Sequence, residues 1–186
     1  MDQNSVVDCI ILAGGEARRM AGQDKGLLLF NGIPLIQHVL TRIAPQVGQV
    51  WISANRNIPH YQQFGHPVIT DATSDFLGPL AGVLAGLRAA ASEWVLTVPC
   101  DTPLLPTDLV ARMMAVSVGA DVIVAAAART HATVMLCRRN LVENLADFLV
   151  SGERKVQVWQ AQQRLTIVHF SDDAAFANIN TPAQLR

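Results

Sequence analysis

Short apolar runs alternate along the chain with longer segments whose apolar positions recur every three or four residues. This is the pattern of βα units on a largely parallel sheet buried on both faces. Residues 6–12 (VVDCIIL) read as a first strand that runs into Ala13-Gly14-Gly15 and a polar stretch reaching Lys25. A helix is predicted over 35–46, opened by Pro34, with Leu35, Ile36, Val39, Leu40 and Ile43 forming a one-sided stripe. Strands at 49–54 and 67–70 follow, the latter ending at Asp71, and then a helix over 79–91 with Leu80, Val83, Leu84 and Leu87 on one face. Residues 94–98 read as a central strand closed by the turn Pro99-Cys100-Asp101-Thr102-Pro103. Beyond it the pattern predicts a helix over 106–116, with Thr107 or Asp108 as its cap, and strands at 121–126 and 133–137. A helix over 140–149, a Gly-Glu-Arg loop, a strand at 165–170 and a terminal helix opening at Thr181-Pro182 complete the series.

The alternation defines one α/β domain spanning 1–186, a three-layer arrangement with a mostly parallel sheet and helices on both faces. No internal repeat or linker interrupts it. Composition sharpens the picture: 51% of residues are hydrophobic but only 5% aromatic, so the core is built from small and branched side chains. A net charge of −1 lacks the basic excess of a general nucleic-acid or membrane-surface binder. The first apolar run is far shorter than the roughly 20 residues of a membrane helix and no basic stretch precedes it, so a cytoplasmic protein is expected. Cys9, Cys100 and Cys137 stand singly and far apart, which fits reduced thiols rather than disulfides or a zinc site.

In open parallel sheets ligands gather beyond the carboxyl ends of the strands, so the residues just after strands are the candidates for chemistry. The loop Leu12-Ala13-Gly14-Gly15-Glu16-Ala17-Arg18-Arg19-Met20, with Asp24-Lys25 beyond it, combines glycines with three cationic side chains. Backbone N–H groups can approach a phosphate there, and Arg19 and Lys25 can balance its charge. The loop matches neither the P-loop nor the dinucleotide fingerprint. Asp71 and Asp101 each follow an apolar strand; singly, each reads first as a turn former or helix cap. Together with a basic glycine loop they indicate a site for Mg²⁺ and a polyphosphate. His131 reads as a hydrogen-bonding histidine at a strand start, or as a residue facing the cleft.

LAGGEARRM followed by DK, then SANR (53–56), ITD (69–71), GPLAG (78–82), PCDTP (99–103), GERK (152–155) and NINTP (178–182) resemble the molybdenum cofactor guanylyltransferase family over nearly the whole chain. The resemblance implies a Rossmann-like nucleotidyltransferase fold and an enzyme that uses GTP and Mg²⁺ to attach GMP to molybdenum-loaded molybdopterin, releasing pyrophosphate. It assigns Leu12, Ala13, Gly14 and Gly15 to the nucleotide loop, Lys25 and Arg19 to the phosphates, Asp71 to the nucleotide, and Asp101 to both nucleotide and metal. Arg154, Asn178 and Asn180 match positions on the pterin side of the cleft. Ser53 departs from the Asn associated with a guanine contact, although Asn55 lies two residues on. Transient contacts with proteins that deliver the cofactor or mature molybdoenzymes are also implied. The same residues suit a cytidylyl or sugar-phosphate transferase of this fold, although Gly14-Gly15 favours guanine. A non-catalytic nucleotide-binding regulator is the reading from a different class.

Overall fold

The computed structural model describes residues 7–13, 24–71 and 78–179. The expected Gly14, Gly15, Arg19 and Asn180 contacts and the helix at 181–182 lie outside these residues. The strands are β1 (Val7–Leu12), β2 (Leu29–Phe30), β3 (Ile33–Pro34), β4 (Val50–Ser53), β5 (Val68–Ile69), β6 (Trp94–Pro99), β7 (Val122–Ala126), β8 (Thr130–Arg138) and β9 (Leu165–His169). The helices are α1 (Leu35–Ile43), α2 (Ile58–Gln62), α3 (Pro79–Ala89), α4 (Leu109–Met114), α5 (Val142–Val150) and α6 (Val156–Ala161).

Seven strands form one sheet in the order β5-β4-β1-β6-β8-β7-β9, and β2 pairs with β3 in a separate hairpin. All neighbouring pairs in the large sheet are parallel except those made by β8, which runs antiparallel to both β6 and β7. A mostly parallel sheet is therefore what forms, with one reversed strand that arises because β7 and β8 are joined as a hairpin.

The alternation along β1 shows why helices must cover both faces. Val7, Cys9 and Ile11 pack with Ile36, Val39 and Ile43 of α1 and Leu109 and Met113 of α4. Ile10 points the other way, into a second cluster with Leu80, Val83 and Leu87 of α3, Leu145 and Phe148 of α5, and Trp159 of α6. α3 sits directly on the sheet: a Cβ on Gly86 would lie 1.9 Å from Ile10 Cδ1, and one on Gly82 would lie 2.5 Å from Ser53 Oγ. Buried Asp8 fixes the turn after this helix by accepting from the N–H groups of Ala91 (2.9 Å) and Ser92 (3.1 Å).

Three elements escape the sequence pattern. The β2–β3 hairpin turns at Asn31-Gly32, both at positive φ (51° and 77°), the Asn-Gly hairpin signal that two-residue strands leave without alternation to support it. α2 is five residues long, too short to show a period. α6 (VQVWQA) alternates in sequence like a strand, yet buries Val156, Trp159 and Gln160 at helical spacing. Asp108 occupies the cap position of α4, but its side chain makes no capping hydrogen bond.

Candidate active site

The chain passes from β1 to β4 and β5 on one side, then crosses to β6 on the other, so β1 and β6 flank the point at which the winding reverses. The carboxyl ends of these strands are tied edge to edge. Ala54 N–H donates to Ile69 O (3.0 Å), Ala13 N–H to Ser53 O (2.8 Å) and Cys100 N–H to Leu12 O (3.1 Å). Residues far apart in sequence thereby share one rim.

At its centre is Asp101, two residues beyond the end of β6 and 8% exposed. Lys25 Nζ donates to Asp101 Oδ2 at 2.6 Å, and Asn178 Nδ2 donates to Asp101 Oδ1 at 2.7 Å. Ile179 N–H donates to the Asp101 carbonyl at 2.9 Å, fixing the C-terminal segment to the same residue through its backbone. Lys25, Asp101 and Asn178 thus converge on one carboxylate.

Asp24, the residue before Lys25, is itself fastened to α2 and its approach. Its carboxylate accepts from Asn57 Nδ2 (3.0 Å) and from the hydroxyl of Tyr61. Tyr61 is fully buried, and burial raises its pKa far above the usual phenol range, keeping it a donor. A Cβ on Gly26 would lie 2.6 Å from the Tyr61 hydroxyl oxygen, so Gly26 allows the contact. Sequence reasoning missed both Asn57 and Tyr61 because they belong to α2 and its approach. The available signal was Asp24 next to Lys25, with a single tyrosine in the chain.

Along the rim, Asn55 and Asp71 pair reciprocally: Asn55 Nδ2 donates to Asp71 Oδ2 (2.8 Å), and Asp71 N–H donates to Asn55 Oδ1 (2.9 Å). Asn55 therefore orients Asp71, with one amide N–H and one lone pair of its oxygen not engaged by that pair. Asp71 Oδ1 is buried without a hydrogen-bond partner among the described residues. Ser53 is 3% exposed and packs beneath α3, with its carbonyl taken by Ala13.

Arg154 stands apart from this cluster. Its Nη1 donates to the carbonyls of Leu149 (2.5 Å) and Glu153 (2.6 Å), closing the end of α5 rather than joining Asp101. His131 is 8% exposed and stacks on Phe176, and its Nε2 has no hydrogen-bond partner among the described residues. The hydrogen-bonding role expected of it is not what forms. Burial pushes the Cys100 thiol well above its ordinary pKa, and Cys9 and Cys137 are likewise buried free thiols, so none is a reactive nucleophile. Among the described residues no three His, Cys, Asp or Glu side chains cluster as a metal cage, and no helix is long and apolar enough to cross a membrane.

A doubly wound sheet with Lys, Asp and Asn gathered at its switch point is the framework of a nucleotidyltransferase, and residues 9–166 match the MobA-like NTP transferase domain family. The fold agrees: a protein of Archaeoglobus fulgidus described as molybdopterin-guanine dinucleotide biosynthesis protein A superposes with a TM-score of 0.78 at 20% identity, covering 96% of this chain and 94% of that one. The molybdenum cofactor guanylyltransferase of Shewanella loihica is 46% identical over 96% of this chain and 93% of its own length. That of Bordetella pertussis is 46% identical over 100% and 98%, respectively. The chain belongs to the molybdenum cofactor guanylyltransferase family.

Proposed function

We propose that the protein transfers GMP from GTP to the phosphate of molybdenum-loaded molybdopterin. An acceptor phosphate oxygen bonds to the α-phosphorus, the bond from that phosphorus to the β-phosphate oxygen breaks, and pyrophosphate leaves with the electron pair. The observation that carries this reading is the Lys25–Asp101–Asn178 cluster, a cation, a carboxylate and an amide donor held together at the sheet's switch point. The names of the relatives and the order of the motifs support the guanine and molybdopterin assignments.

Two anions must meet in line, so the protein's task is to position them and to balance charge. Lys25 is paired with Asp101 and turns to the phosphates when a triphosphate enters. Asp71 Oδ1, buried and without a hydrogen-bond partner among the described residues, accepts an N–H from the nucleotide base. Asn178 holds Asp101 from the side opposite Lys25. Arg19, Gly14 and Gly15 complete the phosphate loop, while Asn180 and Arg154 belong to the acceptor side, with Arg154 released from the end of α5.

Mg²⁺ fits the donor set. Asp101 is a carboxylate with one hydrogen bond on each oxygen and a further lone pair on each, and Mg²⁺ needs few protein carboxylates because it completes its shell with substrate phosphates and water. Bound there, Mg²⁺ supplies Lewis-acid stabilisation of charge on the phosphates. The labile product suggests handover to its acceptor proteins by direct contact in the cytoplasm.

Pyrophosphate release and formation of the guanine dinucleotide test the proposal. Lys25→Ala and Asp101→Ala should each lower turnover on the order of 10²-fold. Near-normal turnover in either variant contradicts the assignment.

A further inference from the structure

Three consecutive residues at the start of β8 each anchor something different. Thr133 O accepts from Thr97 Oγ1 of β6 (2.8 Å), and Ala132 O accepts from buried Gln160 Nε2 of α6 (2.8 Å). His131 lies against the C-terminal segment. The ladder between β7 and β8 breaks at this place. Val124 pairs with Met135, and an unbroken register would pair Ala126 with Thr133, but Ala126 pairs with Thr130 instead. Extra residues on the β8 side reset which face each side chain meets. Met135 and Cys137 belong to the core layer beneath α3 and α5, and strict alternation would send His131 there too. The bulge turns it to the opposite layer, where its ring stacks on Phe176 with centroids 4.8 Å apart and planes at 24°.

Phe176 is completely buried and is held from behind by Phe170, edge-on at 5.0 Å, over whose ring the guanidinium of Arg112 lies at 3.9 Å. Asp173, at the start of the same segment, accepts from Ala128 N–H (3.2 Å) and faces His131 Nε2 at 4.0 Å. Two residues beyond Phe176, Asn178 reaches Asp101. We propose that His131 is a positioning residue: its ring, re-aimed by the bulge and stacked on Phe176, sets where the 173–179 segment crosses the rim and so holds Asn178 on Asp101. The role in turnover rests on the transfer reaction proposed above, whereas the role in holding the segment does not.

His131→Phe keeps a planar ring for the stack, and His131→Leu keeps apolar volume without one. The amide of Ile179, bonded to the Asp101 carbonyl, reports the position of the segment by hydrogen exchange without any substrate. Exchange at Ile179 should rise about tenfold in His131→Leu and stay within about threefold of the parent in His131→Phe. In the transfer assay, His131→Leu should lower kcat on the order of tenfold with the GTP KM within about twofold, and His131→Phe should restore it. Made in an Asn178→Ala background, which is itself slow, His131→Leu should add less than about a twofold further loss. Unchanged exchange in His131→Leu, equal loss in the Phe and Leu variants, a fully active Asn178→Ala, or losses that multiply in the double variant would each overturn the proposal. A parent protein without transfer activity would instead overturn the functional reading, and the Ile179 exchange would still decide whether the stack holds the segment.

Discussion

At the scale of single residues, the site is a set of polar groups each held by another. Asp101 is gripped by Lys25 and Asn178, Lys25 is adjacent to an Asp24 fastened by Tyr61 and Asn57, and Asp71 is oriented by Asn55. Removing the Tyr61 hydroxyl leaves the half-buried Asp24 carboxylate one donor short and loosens the neighbour of Lys25. Tyr61→Phe should therefore cost about 1–3 kcal/mol of stability and lower turnover more than nucleotide affinity, as read from denaturant midpoints and steady-state kinetics. Equal turnover in the variant would detach Asp24 from the site. Lys25, Asp71, Asp101 and Asn178 were legible because each follows a strand or sits in a short motif. Tyr61 and Asn57 were not, since a contact spanning more than thirty residues leaves no local spacing to read. Asn55 was legible as a polar residue near the rim, but only the fold shows that its amide pairs with Asp71.

At the scale of elements, the period of the apolar positions revealed the strands of the large sheet and the longer helices α1, α3 and α5. It failed where elements are too short for a period, as in α2 and the Asn31-Gly32 hairpin, and where VQVWQA mimics a strand. The reversed β8 and its bulge were also beyond it, because strand direction is set by which neighbour the strand pairs with. The packing of α3 yields a sharp expectation. Gly86 lies against Ile10 with no room for a methyl group, so Gly86→Ala, although better for the helix itself, should destabilise the protein by about 1–3 kcal/mol in urea unfolding. A stabilised variant would mean that α3 can lift from β1 without cost.

At the scale of the molecule, stability and site are linked through the His131 contact between the C-terminal segment and the sheet. Burial and the nearby Arg129 lower the pKa of His131 from its ordinary value, while Asp173 opposes the shift. The unfolded chain therefore takes up this proton at a higher pH than the folded one. The stability contributed by the neutral ring is complete above about pH 6.5 and is lost as pH falls through the lower folded value. Urea midpoints compared at pH 7.5 and pH 5 should fall more in the parent than in His131→Phe, which has no proton to gain. Parallel declines would place the acid sensitivity elsewhere. Calorimetric titration of GTP, CTP, ATP and UTP, each with Mg²⁺, asks whether the carboxyl rim beside β1 and β6 selects a guanine nucleotide for transfer. GTP should bind at least on the order of tenfold tighter than the other three, and its binding should weaken in Asp101→Ala. Preferential binding of CTP, or no nucleotide binding at all, would contradict it.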